Sequence, residues 1–597
     1  MAVPPHDLLI VPVQSVGQVQ TRDLPGIQGS PPDMIWFTPS YQAIVDDKRK
    51  RRAEALSVAS AFSTDAHGHY VRATASEITE NIRKGEWTAT QVVEAFIAKA
   101  GQAQEATNCV TEVLFAQARR RGAELDKEFA DTGALRGPLH GVPVSIKDQY
   151  EIEGVDATIG FTPWANSPAT KNAKLVEHLL EAGAIPIVKT NVPQTMFAFE
   201  CNNPLWGTTT NPYNDKYTCG GSSGGEGALL ALDGSVIGLG SDIGGSLRIP
   251  AAYCGIYSLK PGHGRLTRQG CVPGFEGING VVGPMARSVD DLEVACRVTF
   301  GHQGTYCDTA PLPYREINLP PKLKFGYYTS DGYVKASPAC KRAVLETVEV
   351  LRKEGHECVE VALPSASEAF NIFVSLTSSD GFKTMLSHLG SDPRDPSLYM
   401  TSASNLPWFV RSFAAWVIET FFGDTMYANG IRSARVKTVT EYWHFTAKRD
   451  EFIRKFYDEV WIKYGLDGII APTQALPQLR HGGCMTLSSL AGATILYNVV
   501  DSPVGCIPVT RVDPDVDQLT DEWVHGPGLG TKIIENQLYK GKNPFYDPVA
   551  MAGMPVGIQV VGKKWEEEKV LKMMKIVDNA LGEKRGFGPG AAASIKA

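Results

Sequence analysis

The chain has 597 residues, 43% of them hydrophobic and 21% charged, the proportions of an ordinary globular protein. A formal charge of −7 and a pI near 6.0 exclude general nucleic-acid binding, which needs a basic face. Eleven scattered cysteines, with no C-x-x-C pair and no H-E-x-x-H, point to reduced thiols in a cytoplasmic protein and away from a disulfide framework or a metal site.

Residues 1–39 hold many Pro, Gly and Gln and read as an extended arm. The run Leu8–Val13 is broken by Pro12 and has no basic flank, so it predicts neither a secretion signal nor a membrane span. Tyr41–Phe62 is a predicted helix whose basic run, Lys48–Arg52, reads as a solvated face, with a membrane or targeting role as the alternative. His67 and His69 beside Asp65 read as a polar loop rather than a ligand set. The globular domain is expected to begin at Thr74, leaving 1–73 as an N-terminal arm and helix and 74–597 as one large domain. Thr74–Glu77 and Thr88–Gln91 both have capping-box spacing, the second followed by the apolar stripe Val92, Val93, Phe96, Ile97.

Leu139–Ile146 predicts a strand ending on Lys147, then a helix over Asn172–Ala182 and a strand over Ile185–Val188. The stretch Thr218–Pro250 carries two Gly/Ser clusters, Gly220–Gly225 and Gly244–Ser246. Ser223 and Glu226 have the spacing of a capping box, so a helix is expected to start there, pass through Leu229, Leu230 and Leu232, and end at Gly234. Val236–Leu239 then suits a buried strand. A flexible linker would not interleave an apolar helix and strand between its glycines. Further on come strands at Phe325–Tyr328, Val359–Val361 and Val556–Val561, and helices at Ser337–Glu354 and Trp565–Leu581. The alternation is that of an α/β domain whose sheet is covered by helices. Leu406–Phe422 carries only Arg411 and Glu419 as charges, with apolar residues at helical spacing; it is too short and interrupted for a comfortable membrane span, and a buried core helix is the plain reading.

GGSSGGEGALLA and GSDIGGSLRIPAAYCGIYSLKP, with VPVSIKD at Val142–Asp148, GPMARSVDDLE at Gly283–Glu293 and GMPVGIQVVG at Gly553–Gly562, resemble the amidase signature hydrolases over roughly Ser76 to Leu581. Within that family, Thr190–Gly207 and Thr494–Thr510 look most like the eukaryotic fatty acid amide hydrolases, with fungal acetamidases next. The resemblance implies a mixed central β-sheet with helices on both faces, and a cofactor-free enzyme that hydrolyses carboxamides. It implies Ser246 as nucleophile, Ser222 as bridging serine after a cis Gly221–Ser222 peptide, and Lys147 as base. Backbone N–H groups of Ile243, Gly244, Gly245 and Ser246 would hold the oxyanion. Met196, Phe197, Phe199, Gly221 and, more weakly, Thr494 would contact a small-molecule amide. Ser241 stands where the family usually has threonine, and its hydroxyl is kept. For the segment around 405–437 the resemblance adds a second reading, an apolar cap in peripheral contact with a membrane through 406–422. A homodimer is left open, and an acetamidase-type enzyme for short or aryl amides or a non-catalytic lipid-binding scaffold are the alternatives.

The implied chemistry is physically consistent. An amide needs an activated nucleophile, donors for the oxyanion and a proton for the leaving nitrogen. A lysine with its ordinary pKa of about 10.4 is useless as a base at neutral pH, and desolvation lowers that value. Asp242 and Arg248, flanking the nucleophile, read as a structural ion pair. A rival reading takes Gly220–Gly224 as a G-x-S-x-G elbow with Ser222 as nucleophile and His263, His302 or His356 as partner, although the polar turn Asn211–Thr218 stands where that motif expects a strand.

Overall fold

The computed structural model describes residues 40–272, 275–302, 308–591 and 595, so the predicted arm falls outside the described residues. Eleven strands join in one mixed sheet: β1 (Val110–Val113), β2 (Pro143–Lys147), β3 (Ile185–Thr190), β4 (Ile237–Asp242), β5 (Tyr257–Lys260), β6 (Val281–Ala286), β7 (Lys324–Tyr327), β8 (Glu357–Glu360), β9 (Gly468–Pro472), β10 (Val504–Arg511) and β11 (Pro555–Val561). Their order is β1-β3-β2-β4-β6-β5-β10-β11-β9-β7-β8. The block β3-β2-β4 is parallel, as is β9-β7-β8, and the strands between them pair antiparallel.

Close packing of helices on both faces explains the glycines within the strands. A Cβ on Gly505 of β10 would strike Met574 of the helix Glu567–Leu581, and one on Gly557 of β11 would strike Ala252 of the helix Arg248–Cys254. Gly505 pairs with Val560, three residues from Gly557, and an odd offset places the two glycines on opposite faces. Both faces are therefore covered, and β2, β9 and β11 are buried along their whole length, as a sheet coated on both sides requires.

The two predicted capping boxes are formed at Thr74/Glu77 and Thr88/Gln91. Three local expectations are corrected. The basic run is a solvated face only in part: Lys50 and Arg51 are exposed, but Lys48, on the helix Tyr41–Leu56, is buried between Glu112 and Asp156. Its neighbours Arg49 and Arg52 donate to the carbonyls of Leu205 and Val110, so the run fastens this helix onto the sheet edge. His67 and His69 sit on a short helix, Thr64–Val71, capped by Ser63, rather than in a loop. Leu406–Phe422 does form a helix, Trp408–Val417, prolonged by a π turn over Ile418–Phe422, but it is not a core helix. Trp408, Phe413 and Phe421 are 73%, 63% and 72% exposed, and Ala415 alone is buried in the helix. Helical spacing correctly gathered the apolar side chains on one face; the fold covers the other, against the helix Thr425–Ser433.

Candidate active site

Two neighbouring parallel strands bring Lys147 and Ser241 together at one end of the sheet. Ile146 of β2 lies level with Leu239 of β4, so Lys147, the last residue of β2, comes out beside Gly240 and Ser241 near the end of β4. Carboxyl ends of parallel strands are where open α/β sheets hold ligands. Lys147 is fully buried, and its Nζ donates to Ser222 Oγ and to Ser241 Oγ, each at 2.8 Å. Desolvation brings its pKa down to about 7, against the opposing pull of Asp242, the thiols of Cys201 and Cys271, and Glu226. Ser222 follows a cis Gly221–Ser222 peptide.

The helix after the first Gly/Ser cluster runs Gly224–Ala231, but not for the expected reason. Ser223 makes no side-chain cap; its hydroxyl instead bridges to the backbone of Ser241 on β4. Glu226 does not reach back to the N-cap. It is buried under the site, accepts from Ser145 and Thr190, and burial pushes its pKa up to about 7. The helix also ends earlier than expected, with Asp233 rather than Gly234 in the left-handed region.

The second cluster is organised by a buried ion pair. Asp242 and Arg248 are joined in a fork, with Asp242 Oδ1 2.9 Å from Arg248 Nη2 and Oδ2 3.0 Å from Nε. Arg248 also donates to Gln559, Asn498 and the Thr494 carbonyl. Burial alone would raise the Asp242 pKa; the Arg248 guanidinium outweighs it and holds the carboxyl well below the usual range. The same carboxylate accepts the N–H of Gly245 at 2.8 Å and of Leu247 at 3.1 Å, which shapes the turn bearing Ser246. This corrects the four-donor expectation, because the Gly245 N–H is already engaged. Among the described residues no protein acceptor takes the N–H of Ile243, Gly244 or Ser246. Gly245 itself must be glycine: its φ is +124° and a Cβ would lie 2.3 Å from Thr494 Oγ1.

Ser246, Gly221, Met196, Phe197 and Phe199 all line one predominantly apolar cavity of about 190 Å³. Phe370, Phe373 and Val374 of the helix Ala366–Thr377 complete its wall, with Phe382 and Ile495. Phe197 packs against Phe275, Phe373 and Phe382. Thr494 is placed differently from the expectation. It is fully buried outside the lining, and its hydroxyl faces the carbonyls of Gly244 at 2.6 Å and Ala491 at 2.9 Å, so it supports the turn. The link between the two serines is open: among the described residues the Ser246 hydroxyl has no hydrogen-bond partner, although its carbonyl accepts the Ser223 N–H at 3.2 Å. The wall residues were missed because Phe370, Phe373, Val374 and Thr377 fall at helical spacing, a pattern that core and cavity walls share. Gln149 was missed too. Its Oε1 accepts the Ser241 hydroxyl, a contact that only the fold brings about.

The elbow reading fails on placement. Ser222 faces a lysine, while the His356 ring accepts the Leu323 N–H, His302 stacks on His178 and His263 is tied by its backbone N–H to Asp501. No strand leads directly into Gly220; Asn211–Thr218 is a turn closed by an isolated bridge between Thr210 and Thr218.

A family model described as Amidase matches residues 91–571. The chain is 31% identical to fatty acid amide hydrolase 1 of Caenorhabditis elegans, covering 90% of this chain and 93% of that protein. It is 32% identical to fatty-acid amide hydrolase 1 of Sus scrofa over 85% of each, and 30% identical to the acetamidase of Emericella nidulans over 91% and 94%. A solved fatty acid amide hydrolase superposes with a TM-score of 0.73 at 26% identity, over 92% of this chain and 91% of the other.

Proposed function

The chain belongs to the amidase family, a hydrolase of amide C–N bonds, and from that premise we propose that it cleaves carboxamides of medium or long acyl chain through an acyl-enzyme on Ser246. The observation that carries this reading is the hydrogen bond from the buried Lys147 to Ser222, made beside an apolar cavity that Ser246 lines. Neutral Lys147 accepts the proton of Ser222 as Ser222 takes that of Ser246, whose Oγ attacks the amide carbonyl. The hydrogen bond between the two serines forms as the amide seats, since catalytic contacts often tighten only with substrate. N–H groups of Ile243, Gly244 and Ser246 receive the oxyanion. As the C–N bond breaks, the lysine's proton passes back through Ser222 to the departing nitrogen. Water attacks the acyl-enzyme by the same relay and releases the acid.

The aromatic wall supports an acyl chain of some length. Tyr427, Gly430 and Ile431, on the helix that carries the exposed Trp408–Val417 segment, also line the cavity. On this reading the apolar face lies on a membrane surface and substrate enters beside it. No helix among the described residues is long and apolar enough to cross a membrane. The test is hydrolysis of primary amides from acetamide to oleamide, with and without anionic liposomes. Rates that climb with chain length and respond to lipid support the reading. A maximum at two or three carbons, indifferent to lipid, replaces it with the acetamidase-type reading.

A further inference from the structure

Lys147 has two hydroxyl partners, yet the proposed relay uses one. A neutral amine carries two N–H bonds and one lone pair. If Ser241 were free to donate, its proton would occupy that lone pair and leave nothing to receive the proton of Ser222. The Ser241 hydroxyl is not free, because it donates to Gln149 Oε1. With its single proton committed there, Ser241 meets Lys147 as the acceptor of an N–H, at 2.8 Å.

Gln149 is itself fixed. It is buried two residues beyond Lys147, and its backbone carbonyl accepts the Val272 N–H at 3.3 Å. The next residue, Tyr150, donates from its hydroxyl to the Gly240 carbonyl at 2.6 Å. The turn after β2 thus grips two consecutive residues of β4, Gly240 and Ser241.

We infer that Gln149 is a positioning residue which, acting through Ser241, reserves the lone pair of Lys147 for Ser222 and so gives the proton relay its direction. The inference rests on the lysine-base reading and deepens it. The groups that bear electrostatically on Lys147 are Asp242, Glu226 and the thiols of Cys201 and Cys271. Gln149 adds a dipole and no charge, so a carboxylate in its place is a new anion at the site.

The experiment is the pH profile of kcat/KM on decanoyl para-nitroanilide for the parent, Gln149→Ala, Gln149→Met, Gln149→Glu, Ser241→Ala, the double Gln149→Ala/Ser241→Ala, and Lys147→Ala. Loss of the acceptor in Gln149→Ala and Gln149→Met lowers kcat by about 10- to 100-fold with KM within about twofold, and the acidic limb does not move up. Gln149→Glu still accepts from Ser241, so its high-pH plateau returns to within several-fold of the parent. Its acidic limb moves up by about one pH unit or more, because the added anion favours the ammonium. The double variant matches Ser241→Ala within about twofold, since the glutamine acts only through the serine. Losses that multiply in the double variant, a Gln149→Glu limb left at the parent's pH, or glutamine variants with full activity each overturn the inference. Should Gln149→Glu fail to fold, Gln149→Met and the double variant decide alone. A Lys147→Ala enzyme that keeps the parent's rate and limb sinks the lysine reading instead, which separates the two failures.

Discussion

The turn Asp242–Arg248 and the helix Trp408–Val417 invert the usual rule for what lies inside a protein. In the turn, a carboxylate and a guanidinium have no exposed surface, and each is met on nearly every side: Asp242 by Arg248, Asn498 and two backbone N–H groups, Arg248 by Asp242, Gln559, Asn498 and a carbonyl. In the helix, Trp408, Phe409 and Phe413 stand more than half exposed among the described residues. Residue type predicts the reverse in both places. Charge tolerates burial where partners close around it, whereas an apolar helix is buried only if some other element brings a surface to it. Removing one partner from the polar turn is therefore costly, whereas the exposed apolar side chains of the helix have little contact to lose.

That contrast can be broken by substitution, and the largest expected effect is chemical. Ser246→Ala should lower kcat by about 10⁴-fold or more and abolish labelling by a fluorophosphonate, with the melting temperature nearly unchanged; a variant that retains activity would move the nucleophile elsewhere. Next, Arg248→Met strands the Asp242 carboxylate in a dry interior and should cost roughly 3–5 kcal/mol in denaturant unfolding. Lys48→Met leaves Glu112 and Asp156 facing one another, and the expected loss is smaller, roughly 2–3 kcal/mol, because Glu112 keeps some solvent. At the far end, Trp408→Ser/Phe413→Ser/Trp416→Ser removes more apolar surface than any of these, yet should change stability by no more than about 0.5 kcal/mol while weakening sedimentation with anionic liposomes. A large destabilisation in the triple variant would mean that the helix is covered after all.

What was legible in the sequence follows the same division. Lys147, Ser222 and Ser246 were singled out by the resemblance to the amidase signature hydrolases; the residues alone offered two Gly/Ser clusters at junctions between elements, where backbone can crowd a ligand. The capping boxes at Thr74 and Thr88 were legible because they are closed within four residues. The same local pattern misled at Ser223 and Glu226, whose side chains are drawn to Ser241 on one side and to Ser145 and Thr190 on the other, partners that lie on other strands. Lys48 read as solvated because its carboxylates come from Glu112 and Asp156, 64 and 108 positions on. Gln149 carried no signal at all until β2 and β4 stood side by side. Thr494 looked like a ligand contact and proves to hold the Gly244 carbonyl.

The pH dependence of Ser246 acylation, followed by intact mass with an alkyl fluorophosphonate in the parent and in Lys147→Ala, tests the role of the lysine most directly. With a folded-state pKa brought down to about 7 by desolvation, the amine is protonated and idle below that pH and neutral above it. The parent's acylation rate should therefore rise through pH 7 and level off, and Lys147→Ala should be slower by about 10³-fold with that limb gone. Acylation of Lys147→Ala at the parent's rate, with the same limb near pH 7, would contradict it.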